Sequence, residues 1–468
     1  MLEVKNLCVD YPEGRVVDNL SFKMEKGEIL GLVGESGSGK TQTALCIAGL
    51  HPVNAKIQGT IEIDKTDILT FSDNDRRQFM GKQISMIFQE PMNSLNPVYK
   101  IGRQIDEMVK LHMNIKKSER KEKIIDILKL VELEDSKGVY NKYPHQLSGG
   151  MLQRVMIAMA IICEPELIIA DEPTTALDLE VQIEIIKLLK KINQVKGTGI
   201  LFISHDLNVI KDICNKVIVM KDGLMVEEGL VKDIFTSPKK EYTKKLIDSI
   251  VRGDKAKSEF SQEKVLEIKD LSIYYKESHG QKKYVLENIN LDIKKGEIVG
   301  LVGRSGLGKT SFSMTVLGFH KGYTGEIIHY TEKPQMIFQN AYSSLNPVKK
   351  IGWILEESLR NKGGLSKEER KKKVLDMLDK VGLPPESISK YPRQLSGGQR
   401  QRVSIANALM LESKFIIADE PVSALDVTIQ AQILELLLKL QKEYQLSILF
   451  ISHDINVIKK MCDRVMKI

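Results

Sequence analysis

Two lysines, each preceded by a glycine-rich turn and followed by a threonine, carry the clearest chemistry in the chain. Lys40 and Thr41 close the segment GESGSGKT between the apolar run EILGLV and the stretch TQTALCIAGL, and Lys309 and Thr310 close GRSGLGKT in the same setting. Strand, glycine-rich turn and helix in that order are what a phosphate-binding loop requires. Gly34, Gly37 and Gly39, with Gly303, Gly306 and Gly308 in the second copy, let the backbone curl until successive N–H groups face an anion. The helix N-terminus adds its positive dipole end. Each lysine is expected to reach the β- and γ-phosphates of a nucleotide, and each threonine hydroxyl to sit on Mg2+. Ser36 and Gln42, with Ser305 and Ser311, belong to the same expected nucleotide-binding sets.

Two apolar runs end in paired acids: LIIADE at 167–172 and FIIADE at 415–420. Asp171 and Asp419 suit a direct or water-mediated contact to Mg2+, and Glu172 and Glu420 suit a general base for an attacking water. Phosphoryl transfer depends mainly on positioning and charge neutralisation. Paired acids at a strand end can also be helix caps, but their distance behind a phosphate loop favours chemistry. His205 and His453 each follow the run ILFIS, at a strand end from which a side chain can meet a γ-phosphate. A lone histidine there would ordinarily be structural; its repetition favours function. Gln89 and Gln339 follow SMIF and QMIF, where a neutral amide can touch the metal or a water and then withdraw.

These motifs recur because one fold is written twice. YPHQLSGGMLQRV at 143–155 returns as YPRQLSGGQRQRV at 391–403, and the acids and histidines that follow keep a constant offset of 248. Lys40 to Gln89 spans 49 positions but Lys309 to Gln339 only 30, so the second copy lacks 19 residues. The matching region of copy one, KIQGTIEIDKTDI, alternates like strands, which places the loss in an antiparallel β layer as about one hairpin with its loop. The expected domains are 1–250 and 265–468, joined by a polar linker at 251–264.

Composition bounds the rest. The chain has 468 residues, 42% hydrophobic and 28% charged, as in ordinary globular proteins. No apolar run approaches the roughly 20 residues of a membrane-spanning helix, and the start MLEVKNLCVDYPEG lacks the apolar core of a signal peptide. A chain made and kept in the cytosol, reaching a membrane through partners, is the expectation. The five cysteines are scattered without a CxxC pair, which argues for buried, reduced thiols rather than disulfides or a zinc site. The net charge of +7 sits largely in alternating-sign runs such as KKSERKEK and SKEERKKK, which read as solvated helix faces.

LSGGMLQR and LSGGQRQR resemble the signature sequence of ATP-binding-cassette (ABC) proteins, and the resemblance covers essentially the whole chain. It implies an α/β fold: two P-loop NTPase nucleotide-binding domains in tandem, each a RecA-like core with an antiparallel β layer and a helical signature subdomain. It also implies that the cassettes pair within the chain, each lending its signature to the other's nucleotide. Lys40, Thr41, Gln89, Asp171, Glu172 and His205 would then work with Ser396, Gly397, Gly398 and Asp426. Lys309, Thr310, Gln339, Asp419, Glu420 and His453 would work with Ser148, Gly149, Gly150 and Asp178. Adenine would stack on Tyr11 and on Tyr275, although Tyr274 and Tyr284 nearby make core packing a competitor for Tyr275. The implied ligands are ATP and Mg2+.

FQEPMNSLNPVYKIG and FQNAYSSLNPVKKIG resemble the peptide and nickel importer branch, the first copy reading as its D-type and the second as its F-type subunit. SPKKEYTKKLI at 237–247 resembles the tail of that branch with Lys-Glu in place of His-Pro, and the cysteine-rich extension of several peptide importers is missing. The implied function is an importer ATPase on the cytoplasmic face of the membrane. Its partners would be two permeases and an extracytoplasmic binding protein, with no nucleic acid. The alternative is a soluble tandem cassette acting on ribosomes or nucleic acid, which the short linker and absent metal cysteines disfavour. Ile468 aligns with Met220, so the second copy is expected to be cut short relative to the first.

Overall fold

Strands buried on both faces must lie inside a parallel sheet covered by helices. ILGLV, LIIAD and GILFI are such strands, with every residue buried. The structure is a computed structural model that describes every residue except 176, 251–252, 254, 256–259, 277–280, 304–305, 340 and 424. It divides into two compact units, Met1–Asp248 and Ser249–Ile468, each with its own core.

In the first unit, Ile29–Val33 runs parallel to Gly199–Ile203 on one side and Lys216–Lys221 on the other. Leu167–Asp171 and then Ile84–Ile87 extend the sheet in parallel, while Leu224–Leu230 closes the far edge antiparallel. The second unit repeats the order with Gln335–Ile337, Phe415–Asp419, Ser447–Ile451, Ile298–Val302 and Arg464–Lys467. Parallel strands place all their carboxyl ends on one edge, and ligands of such sheets bind outside that edge. The glycine loops, the paired acids, the histidines and the glutamines all leave from it.

A separate antiparallel sheet pairs Leu2–Tyr11 with Gly14–Met24 and with Lys56–Ile63, and the two-residue strand Thr66–Asp67 follows. The second unit keeps three strands, Lys264–Lys276, Lys282–Lys294 and Tyr323–His329. The expected loss of a hairpin is therefore corrected. Tyr323–His329 stands where Lys56–Ile63 stands, and what is missing is Thr66–Asp67, a 3-10 turn and the helix Asp73–Phe79. Alternation in copy one stops at Asp64 and Lys65, both at positive φ in a two-residue turn, and the strand paired across that turn runs for just two residues before the chain becomes helical. Ser72 accepts from the Asp75 N–H and caps that helix.

The charged runs form the helices Lys117–Leu130 and Lys367–Lys380, which bury just two or three residues each. All five cysteines are free; four are buried and Cys8 is half-buried against Asp18. Among the described residues no helix is long and apolar enough to cross a membrane.

Candidate active site

The site in the first unit starts from the turn after Val33. Gly34 has φ +156°, and a Cβ there would lie 2.2 Å from the Met220 carbonyl oxygen, so the strand's close neighbour excludes any side chain. Gly39 caps the helix Lys40–Ile47 in the left-handed conformation. Lys40 is buried and its Nζ donates to the carbonyls of Gly34 and Glu35, both at 2.8 Å, inside the loop it is meant to serve. In the second unit Lys309 Nζ donates to the Gly303 carbonyl at 2.7 Å and stands 3.9 Å from Glu420 Oε1. Ser36 and Gly37 are exposed at the loop tip; Gly306 and Gly308 repeat the positive φ of Gly37 and Gly39. Ser305 lies outside the described residues.

Around each glutamate the structure collects the residues expected from separate motifs. Gln89 Nε2 donates to Glu172 Oε2 at 2.8 Å, and His205 Nδ1 lies 3.0 Å from Glu172 Oε1. In the second unit Gln339 Nε2 donates to Glu420 Oε2 at 2.9 Å, with His453 Nδ1 3.2 Å from Oε1. Thr41 Oγ1 donates to Asp171 Oδ1 at 3.3 Å, and the Thr310 hydroxyl likewise bonds Asp419.

The backbone adds a feature that sequence reasoning missed. Glu172 and Glu420 sit at φ 47° and 45°, a left-handed conformation costly for a residue with a long side chain. Each is held there because its N–H donates 2.9 Å to the next strand's end, at Ile203 and Ile451. The turn swings the carboxylate off the strand axis toward the histidine. No residue type signals it, but its repetition in both units marks it as part of the site.

Electrostatics separate the paired acids. Burial, then the neighbouring Glu172 charge, pushes Asp171 up to about 6 against the pull of Thr41 and Lys40. Asp419 is pushed up to about 6 by burial and Glu420. Burial also opposes ionisation of the glutamates, yet His205, Thr175 and Lys40 hold Glu172 below the ordinary value. His453 and Lys309 do the same for Glu420, and the hydrogen bond that Glu420 accepts in turn raises His453. Each site thus keeps an ionised glutamate beside an aspartate whose buried charge is unfavourable by itself and would be stabilised by a cation.

Asp171 and Asp419 each join a carboxylate to a threonine hydroxyl, both hard oxygen donors, with the glutamine amide one residue away on the adjoining glutamate. Among the described residues no cluster of three or more His, Cys, Asp or Glu could hold a metal by itself. A carboxylate and a hydroxyl oxygen fit Mg2+, which is commonly bound by one or two protein groups together with substrate phosphates.

Tyr11 Oη donates to Gln42 Oε1 at 2.5 Å, and Tyr275 Oη shares a hydrogen bond of 2.8 Å with Ser311. Both tyrosines are thus tied to the second residue after the loop lysine. Tyr275 is 46% exposed, so it is not a core residue.

The signature serines begin helices of their own. Ser148 caps Gly149–Ile161 through the Met151 N–H, and Ser396 caps Gly397–Leu409 in a reciprocal bond with Gln399. A Cβ on Gly150 or Gly398 would meet Val181 or Ile429 at 2.7 and 2.6 Å, so each helix start is pressed onto the helix behind Asp178 or Asp426. Asp178 accepts from the Val181 N–H. A Cβ on Gly149 would likewise meet Leu177, at 3.8 Å.

The ABC transporter family profile matches residues 17–175 and 286–423, one stretch in each unit. The chain belongs to the ABC transporter family. As an ABC protein it is similar to the peptidoglycan transport ATP-binding protein YejF of Agrobacterium fabrum. They share 39% identity over 490 residues, covering 99% of this chain and 90% of that protein. It is 36% identical over 523 residues to the glutathione import ATP-binding protein GsiA of Pectobacterium atrosepticum, covering 99% and 84%. The archaeal ribosome recycling factor aABCE1, solved with the ribosomal stalk protein aP1, aligns over 98% of this chain and 87% of its own at TM-score 0.68. At 20% identity that likeness concerns the fold alone. The ABC protein described here is an ATPase: its cassettes bind ATP and hydrolyse it.

Proposed function

We propose that this ABC ATPase drives uptake through partner permeases, in the peptide and nickel importer branch, from the cytoplasmic face of the membrane. The relatives' names, which speak of transport and glutathione import, support an importer handling peptide-like cargo. ATP binding would bring the cassettes together, each signature completing the other's nucleotide site, and hydrolysis would release them. An extracytoplasmic binding protein would deliver the cargo.

The observation that carries the catalytic reading is the repeated triad of Gln, Glu and His at adjoining strand ends. Glu172 and Glu420 are the bases that accept a proton from the attacking water, and His205 and His453 orient them and face the γ-phosphate. Lys40 and Lys309 would exchange loop carbonyls for phosphate oxygens. Thr41, Asp171 and Gln89, with Thr310, Asp419 and Gln339, would hold Mg2+, whose charge neutralises the phosphates. Tyr11 and Tyr275 would carry adenine. The chain with Glu172→Gln and Glu420→Gln together is expected to lose about 10²–10⁴ in steady-state turnover while still binding ATP. Wild-type turnover in that double variant would remove the base assignment.

A further inference from the structure

The two glutamates are not held alike. Thr175 Oγ1 donates to Glu172 Oε2 at 2.9 Å, on the same oxygen that receives Gln89. Its counterpart Ser423 is exposed and donates 3.2 Å to the backbone oxygen of Glu420 instead. Among the described residues no hydroxyl reaches the Glu420 carboxylate; its partners are Gln339, His453 and, at 3.9 Å, Lys309.

The residue types explain the difference. A β-branched threonine is stiff at χ1, so its methyl and hydroxyl directions are set together. Serine lacks that constraint and readily bonds a carbonyl three residues back. An ionised carboxylate has about four acceptor directions. Thr175, Gln89 and His205 take three of those on Glu172, leaving one for a water, whereas Gln339 and His453 leave Glu420 with two. Should the glutamine move away to a cation, Thr175 still fixes Glu172 Oε2, whereas among the described residues no hydroxyl fixes that of Glu420. A base with one open direction presents one geometry to the attacking water, and geometry of that kind governs rate.

We propose that Thr175 is a positioning residue for Glu172 with no working equivalent at Ser423, so that the first unit's glutamate acts faster than the second's. This rests on reading Glu172 and Glu420 as bases. The test is single-turnover phosphate release by the full chain, preloaded with two ATP and started with Mg2+. The wild-type chain should release phosphate in a fast and a slow phase of comparable amplitude, about 10-fold apart in rate, the scale of one hydrogen bond to a charged group. Thr175→Val should slow the fast phase to the slow one with ATP affinity unchanged. Ser423→Thr should speed the slow phase, and Ser423→Ala should leave both phases within about two-fold. One phase in the wild-type chain, an undiminished fast phase in Thr175→Val, or no gain in Ser423→Thr would overturn the proposal. If the double glutamine variant still turns over, the base reading has failed. If that variant is inactive and the phases do not respond, this inference alone has failed.

Discussion

The side-chain amide of Gln89 donates to the Glu172 carboxylate at 2.8 Å, joining residues 83 positions apart. The amide is neutral, so it steadies the base without competing for its proton. Gln89→Glu would put a second carboxylate at that distance, and two such groups cannot both ionise easily. The acid limb of ATPase activity against pH is expected to move up by about one unit or more, with turnover reduced at pH 7. Gln89→Ala should leave the limb in place. Equal profiles for both variants would mean the contact does not tune the base.

Asp171 gives a stability prediction with a definite sign. Its folded value, about 6, lies above the unfolded 3.8. The group therefore favours the fold fully below about 3.8, and that contribution is lost as pH rises through about 6. At neutral pH the buried charge costs the Mg2+-free chain on the order of 3 kcal/mol. Glu172, held low, acts in the opposite sense: its contribution is present above its unfolded 4.5 and lost as pH falls. In chelator at pH 7.5, Asp171→Asn is expected to raise the melting temperature by roughly 5 °C, with the gain shrinking toward pH 4. A lower melting temperature at pH 7.5 would sink the assignment.

Tyr11 separates ring from hydroxyl. Stacking of a base on an aromatic ring is worth about 1–3 kcal/mol, so Tyr11→Ala should weaken ATP binding by about 10-fold or more. Tyr11→Phe keeps the ring and loses the tether to Gln42, and should stay within about three-fold. Fluorescent-nucleotide titration measures both, and a Phe variant as weak as the Ala variant would mean that the ring is not the platform.

Much of this was legible beforehand, for physical reasons. ILGLV and LIIAD read as central strands because both faces are apolar, and GESGSGKT read as a loop because its glycines have few other uses. Gln89, Glu172 and His205 are marked in the sequence one by one, since each follows an apolar run. Their meeting follows from the adjacency of three parallel strands. What could not be read depends on torsions and short side chains. The positive φ of Glu172 and Glu420 has no compositional mark. The turn of Ser423 away from its carboxylate depends on a missing methyl. The helix Asp73–Phe79 hid in a polar stretch that buries nothing, and its one local sign was Ser72 ahead of Asp73 and Asp75.

The shorter β layer of the second unit has a practical use. Five residues join Tyr323–His329 to Gln335–Ile337, where the first unit carries a small strand, a turn and a helix between matching positions. Its twin thus serves as a natural precedent for extra cargo at that junction. A splice between His329 and Gln335 offers an experimenter a docking port for a fluorophore or affinity handle, at a point where the first unit has 16 residues more: Ile63 to Gln89 spans 26 positions and His329 to Gln339 spans 10.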